Sequence, residues 1–122
     1  MTATDGTDGT NDRGTVVTLD RVTVEYGTGD AEVRPLDGFS TSVPAGRLAI
    51  LLGPSGCGKT TLLSCLAGLQ RPTSGSIRVG DHEVTSLSAQ QLTAYRRSMV
   101  GVVFQAFNLV PSLTAAENVM MP

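Results

Sequence analysis

The sequence predicts an α/β fold: a parallel-sheet core in which a buried strand passes through a glycine-rich loop into a helix, with an antiparallel β subdomain beside it. Three observations predict it. Leu48-Ala49-Ile50-Leu51-Leu52 is an unbroken apolar run, the pattern of a strand covered on both faces. Gly53-Pro54-Ser55-Gly56-Cys57-Gly58 follows at once as a glycine-rich turn. Thr61-Leu62-Leu63-Ser64-Cys65-Leu66-Ala67 then supplies good helix formers, with Gly68 as the expected C′ cap.

The loop carries chemistry as well as a turn. From Gly53 through Gly58 and Lys59 to Thr60 it fits G-x-x-x-x-G-K-[ST] at every defined position. At average composition those four positions would coincide roughly once in a few hundred chains of this length. The glycines let successive N–H groups point inward at phosphate oxygens. Lys59 can reach the β- and γ-phosphates as a point charge, and the Thr60 hydroxyl can ligate Mg²⁺. The helix that follows offers its dipole and its free N–H groups to an anion. The expected cofactor-binding residues are therefore Gly53, Pro54, Ser55, Gly56, Cys57, Gly58, Lys59, Thr60 and Thr61, in a P-loop NTPase core. Cys57 sits inside that ring, so its alkylation is expected to block nucleotide binding by bulk. Cys65, on the helix, is expected in the core.

The other elements follow in order. Met1 to Gly14 are mostly Thr, Asp, Gly and Asn and are expected to form a disordered tail. Val17, Leu19, Val22 and Val24 alternate with polar residues as a strand ending at Tyr26-Gly27, with a bulge near Asp20-Arg21. A second strand is expected over Val33 to Val43, with Leu36, Phe39 and Val43 apolar, before the turn Pro44-Ala45-Gly46. After the helix, Ser76-Ile77-Arg78-Val79 reads as a short strand, and His82-Glu83-Val84 as its return past Gly80-Asp81. Ser88-x-x-Gln91 is a capping box that opens a helix to about Arg97, with Leu92, Tyr95 and Met99 on one face. Val100-Gly101-Val102-Val103-Phe104 is a second apolar run, expected as a second buried parallel strand. It would deliver Gln105 to the sheet edge where ligands collect. Thr114-x-x-Glu117 is a further capping box. Two core strands would leave wide apolar faces open, so the chain reads as incomplete, a part of a larger nucleotide-binding domain.

Composition narrows the function classes. Nine Lys and Arg against eleven Asp and Glu leave a net charge of −2, so no basic footprint for nucleic acid is present. No apolar run approaches the roughly eighteen residues that span a bilayer. Two cysteines are too few for a disulfide scaffold, and their spacing fits no zinc pattern. A reducing cytosol is the plain expectation. His82, the single histidine, is expected to be solvated.

Four stretches, in order, carry a resemblance. They are Gly53 to Leu63; Tyr26 at the end of the first strand; Leu69-Gln70-Arg71-Pro72-Thr73-Ser74-Gly75-Ser76-Ile77; and Gly101 to Gln105 followed by Leu113 to Val119. Together they resemble the N-terminal part of the ATP-binding subunit of an ABC transporter, over residues 15–122. The wording from Phe104 to Pro111 is most similar to the macrolide-export and lipoprotein-release branch.

The resemblance implies several roles. Tyr26 would stack on adenine, a contact of about 1–3 kcal/mol by analogy with base stacking; a tyrosine merely packed at a strand end is the plain alternative. Gln105 would be the Q-loop glutamine, touching Mg²⁺ and the γ-phosphate region, so Lys59 and Gln105 would be the catalytic residues present. The cofactors would be ATP and Mg²⁺. The partners would be a membrane permease and a second ATP-binding subunit, at the inner face of the cell membrane. The family's glycine-rich signature, Walker B aspartate, catalytic glutamate and switch histidine have no match in the 122 residues, and His82 comes too early to be that histidine. The parent protein is thus expected to hydrolyse ATP, and this chain to bind it with little turnover. Two other readings stay open: a soluble ABC-type or other P-loop NTPase unlinked to transport, and a non-catalytic nucleotide-binding module.

Overall fold

The computed structural model describes residues 1–5, 16–27 and 29–121. Its main body is a four-stranded antiparallel sheet in the order β3-β2-β5-β6, formed by β2 (Val17–Tyr26), β3 (Val33–Val43), β5 (Ser74–Val79) and β6 (His82–Glu83). A separate two-stranded sheet pairs β1 (Thr2–Asp5) with β4 (Ala49–Leu52). The helices are α1 (Lys59–Leu66), α2 (Ala89–Ser98) and α3 (Ala115–Met120).

Alternation builds the main sheet. Leu19, Val22 and Val24 of β2 point inward with Leu36 of β3 and Ile77 and Val79 of β5. They pack against Leu62 and Cys65 of α1 and Leu92 and Tyr95 of α2. The bulge expected near Asp20-Arg21 is present. Arg21 takes φ 46°, and the β2–β3 register shifts between Leu19 and Val22. Gly75, opposite, makes the bulge possible: a Cβ there would lie 2.3 Å from the Arg21 carbonyl oxygen.

The helix ends follow their local chemistry. Both Ser88–Gln91 and Thr114–Glu117 form complete capping boxes. At the C-terminus of α1 the Gly68 N–H donates to Cys65 O and the Leu69 N–H to Ser64 O, a Schellman arrangement with Gly68 at C′. Arg96 donates from α2 to Gly68 O at 2.8 Å, and Tyr95 donates to Leu66 O at 2.7 Å. These two bonds lash α2 to the end of α1. Burial raises the Tyr95 phenol above its usual range, as it does the Cys65 thiol.

Four sequence expectations are corrected. Thr2–Asp5, assigned to a disordered tail, form an antiparallel strand on β4, with Thr2 opposite Leu52 and Asp5 opposite Ala49. An unpaired strand edge is a template for any extended segment, and β-branched threonines suit the pairing. Residues 6–14 of the predicted tail lie outside the described residues. The run Leu48–Leu52 is not covered on both faces: Leu51 packs on the core, while Leu48, Ile50 and Leu52 are exposed. The run 100–104 forms no strand among the described residues, where it takes part in no ladder. Instead, Val102 to Gln105 lie along α1 and share a groove with Thr60, Leu63 and Ser64. Finally, His82 is half-buried, its ring meeting Tyr95 edge-on at 5.7 Å between centroids.

Candidate functional site

The site is built where β4 hands the chain to α1. Gly56 and Gly58 take φ 79° and 91°, so the loop closes on itself instead of continuing the strand. Only glycine fits at position 58. A Cβ there would lie 2.1 Å from the Pro35 carbonyl oxygen, on β3. This close approach presses the loop against the antiparallel sheet and holds its mouth in place.

Gly58 is also the N-cap of α1, and it offers no side chain to the first N–H groups of that helix. Those groups need a partner from elsewhere. They open onto a cleft of about 410 Å³ lined by Pro35, Ser55, Gly56, Gly58, Lys59, Thr60, Thr61 and Gln105. An uncapped helix start and a lysine make this cleft attractive to an anion.

The Lys59 ammonium is already engaged. It donates to Gly53 O at 2.8 Å and Pro54 O at 2.6 Å, with Cys57 Sγ 3.4 Å away. It is therefore held as a charge against the loop. An ammonium has three donors, so a phosphate oxygen would compete with the loop for it. Cys57 is half-buried and Cys65 is buried, as expected.

Of the sequence-predicted residues, the cleft gathers Ser55, Gly56, Gly58, Lys59, Thr60, Thr61 and Gln105. Gly53, Pro54 and Cys57 stand behind it as partners of Lys59. Tyr26 does not line it. It lies at the end of β2, paired with Val33, two residues from Pro35 at the cleft wall. The residue is 47% exposed.

Mg²⁺ fits this donor set. The exposed Thr60 side chain and the Gln105 amide supply neutral oxygens on one cleft. Among the described residues no group of three His, Cys, Asp or Glu could cage a metal. An ion bound here would rest chiefly on phosphate oxygens and water, which is how Mg²⁺ prefers to be held.

Two residues that sequence reasoning passed over belong to the neighbourhood. Pro35 forms part of the cleft wall, and its carbonyl abuts Gly58. Gln70 donates its side-chain amide to the Tyr26 hydroxyl at 2.5 Å. Neither has a local signal; both depend on strand register.

Comparison with known proteins decides the family. The model of the ABC transporter family matches residues 36–121. This chain belongs to the ABC transporter family. An uncharacterized ABC transporter ATP-binding protein of Mycobacterium tuberculosis is 60% identical over 106 residues, covering 87% of this chain and 32% of that protein. The macrolide export ATP-binding/permease protein MacB of Burkholderia thailandensis is 45% identical over 104 residues, covering 85% of this chain and 16% of its own length. A solved ATP-binding cassette, a dimer in a post-hydrolysis state bound to ADP and Pi, superposes with a TM-score of 0.71 at 32% identity, over 86% of this chain and 45% of that one.

The chain therefore has the P-loop NTPase fold of its structural neighbours, and it spans about a third of the length of the mycobacterial relative and less of MacB. The antiparallel subdomain is formed. No helix among the described residues is long and apolar enough to cross a membrane.

Proposed function

We propose that this chain binds Mg-ATP as the ATP-binding part of an ABC transporter's energy-coupling ATPase, of the export type. One observation carries it: Lys59, Thr60 and Gln105 line a single cleft onto which the uncapped start of α1 opens. Triphosphate oxygens would take the loop N–H groups and the Lys59 ammonium, and Thr60 with Gln105 would hold the ion. Mg²⁺ would supply charge neutralisation at the transferring phosphoryl group. Tyr26 would carry the adenine.

The export reading leans on the relative named as a macrolide export protein. That relative unites ATP-binding and permease functions in its name, which supports a permease as this chain's partner at the inner membrane face. The dimeric cassette supports a second ATP-binding subunit as the other.

Binding and turnover separate on physical grounds. Among the described residues none of the eight lining the cleft is a carboxylate, so they supply no carboxylate base to orient water. Mg-ATP should bind, and hydrolysis by this chain should stay near the uncatalysed rate.

Titration calorimetry of Mg-ATP into the chain tests the reading, with folding of each variant checked by circular dichroism. Lys59→Ala should weaken binding at least about tenfold, since a charge-assisted bond contributes roughly 1.5–3 kcal/mol. Unchanged affinity in a folded variant would overturn it.

A further inference from the structure

Among the described residues Gln70 donates a side-chain hydrogen bond to the Tyr26 hydroxyl, and the resemblance of its stretch gives it no individual role. It lies in the connection between α1 and β5. That connection is unusually well tied for a segment outside regular structure. The Gln70 N–H donates to Ser64 O at 3.2 Å, just past the Schellman end of α1. Arg71, next along, donates its guanidinium to Thr85 O at 2.9 Å and also to Leu87 O. Thr73 then grips β2 twice: its N–H donates to Thr23 O at 2.8 Å, and its hydroxyl accepts from the Glu25 N–H at 3.0 Å. The β2–β5 ladder, which pairs Thr23 with Ser74, points the connection back past Tyr26.

A half-exposed tyrosine at a strand end would otherwise sample several rotamers. Stacking a base on it then costs the entropy of choosing one, roughly 0.5–1.5 kcal/mol per immobilised side chain. The bond from Gln70 to the phenolic oxygen holds the far end of the ring on a residue that stays 47% exposed. We infer that Gln70 is a positioning residue for the nucleotide base: it locks the Tyr26 ring in the orientation that accepts adenine. The inference rests on the proposed role of Tyr26 as the base platform.

The placement has a mechanical consequence. Helix α1 starts at the phosphate loop and ends at the segment that carries Gln70. Its eight residues make a rod of about 12 Å at 1.5 Å per residue. The grip on the phosphates and the tether on the base platform thus hang from opposite ends of one element.

The test compares two ligands, Mg-ATP and Mg-tripolyphosphate, which has the phosphates and no base. Calorimetric titration into the full chain is run for Gln70→Ala, Gln70→Glu, Tyr26→Phe, Tyr26→Ala and the double variant Gln70→Ala/Tyr26→Phe, each with its melting temperature. Gln70→Ala and Tyr26→Phe should each weaken Mg-ATP by about three- to tenfold, the range that freeing one side chain implies, and leave tripolyphosphate within about twofold. The double variant should be no worse than either single one, because both remove the same bond. Gln70→Glu should restore parental ATP affinity, since its carboxylate accepts from the phenol.

Three results would overturn the inference in distinguishable ways. If Tyr26→Ala weakens Mg-ATP and Gln70→Ala does not, Tyr26 carries the base untethered. If Gln70→Ala weakens both ligands equally, the residue only supports the fold. If Tyr26→Ala leaves Mg-ATP unchanged while Lys59→Ala weakens both ligands, the phosphate site stands and the base platform falls, with Gln70's role.

Discussion

At position 58 two constraints coincide, and they explain why the loop closes where it does. The φ of 91° is left-handed, and the Pro35 carbonyl stands where a Cβ would go. Gly58→Ala must strain the backbone and push β3 away together. The expected cost is about 2–4 kcal/mol, read as a fall in chemical-denaturation midpoint, with loss of Mg-ATP binding at temperatures where the variant is still folded. Cys57 is the neighbouring case. Its sulfur lies 3.4 Å from the Lys59 ammonium and its side chain is partly open. N-ethylmaleimide should react there before it reacts at buried Cys65, should abolish nucleotide binding, and should be slowed by ATP. Modification at an equal rate with and without saturating ATP would show that the nucleotide does not cover the loop. The glycine spacing made this ring legible from sequence, since a phosphate loop is written in consecutive residues. Gln70 was not legible, since its partner is forty-four positions away.

Among the elements, the short C-terminal helix depends most visibly on a single cap. Thr114 and Glu117 exchange bonds across the first turn of α3, and Asn118 adds a clasp to Val110 and Leu113. The Glu117 carboxyl is held below its ordinary range, first by the Thr114 backbone N–H and then by its hydroxyl. The sign follows: a depressed folded pKa stabilises α3 above the unfolded glutamate pKa, and that contribution fades as pH falls through the folded value. Protection of the α3 N–H groups, taken relative to the intrinsic exchange rate at each pH, should therefore fall on acidification through that range. Glu117→Gln, whose amide oxygen still accepts from Thr114, should show a flatter profile. An identical pH response in both proteins would remove the cap from the explanation. Both capping boxes were readable beforehand, because their partners lie three residues apart. The predicted strand at 100–104 was misread for the opposite reason: an apolar run records a wish to be covered, and pairing needs an available edge.

Across the whole molecule, a packed core coexists with large apolar side chains left in solvent. The core joins the antiparallel sheet to α1 and α2, whereas Leu48, Ile50, Leu52, Val103 and Phe107 stand in water, Val103 at 98% exposure. Large apolar side chains exposed in this number favour association. At tens of micromolar the chain should sediment above its monomer mass of 12.7 kDa and bind a hydrophobic dye. Val103→Glu with Phe107→Glu should reduce both signals; a clean monomer for the parent would refute the expectation. β1 satisfies one backbone edge of β4 by pairing with it, an arrangement that tail composition gave no reason to expect, while Ile50 and Leu52 stay exposed.

The order of residues alone determined the glycine-rich loop, the helix that follows it, both capping boxes, the β2 bulge and the antiparallel pair before the loop. Each of these is settled by bonds and φ preferences within a few positions. Tertiary structure alone decided that β1 would cover β4, that His82 would pack on Tyr95, and that Pro35 and Gln70 would join the site. Those outcomes turn on which edges and faces meet across long stretches of chain, and local preference leaves that choice open.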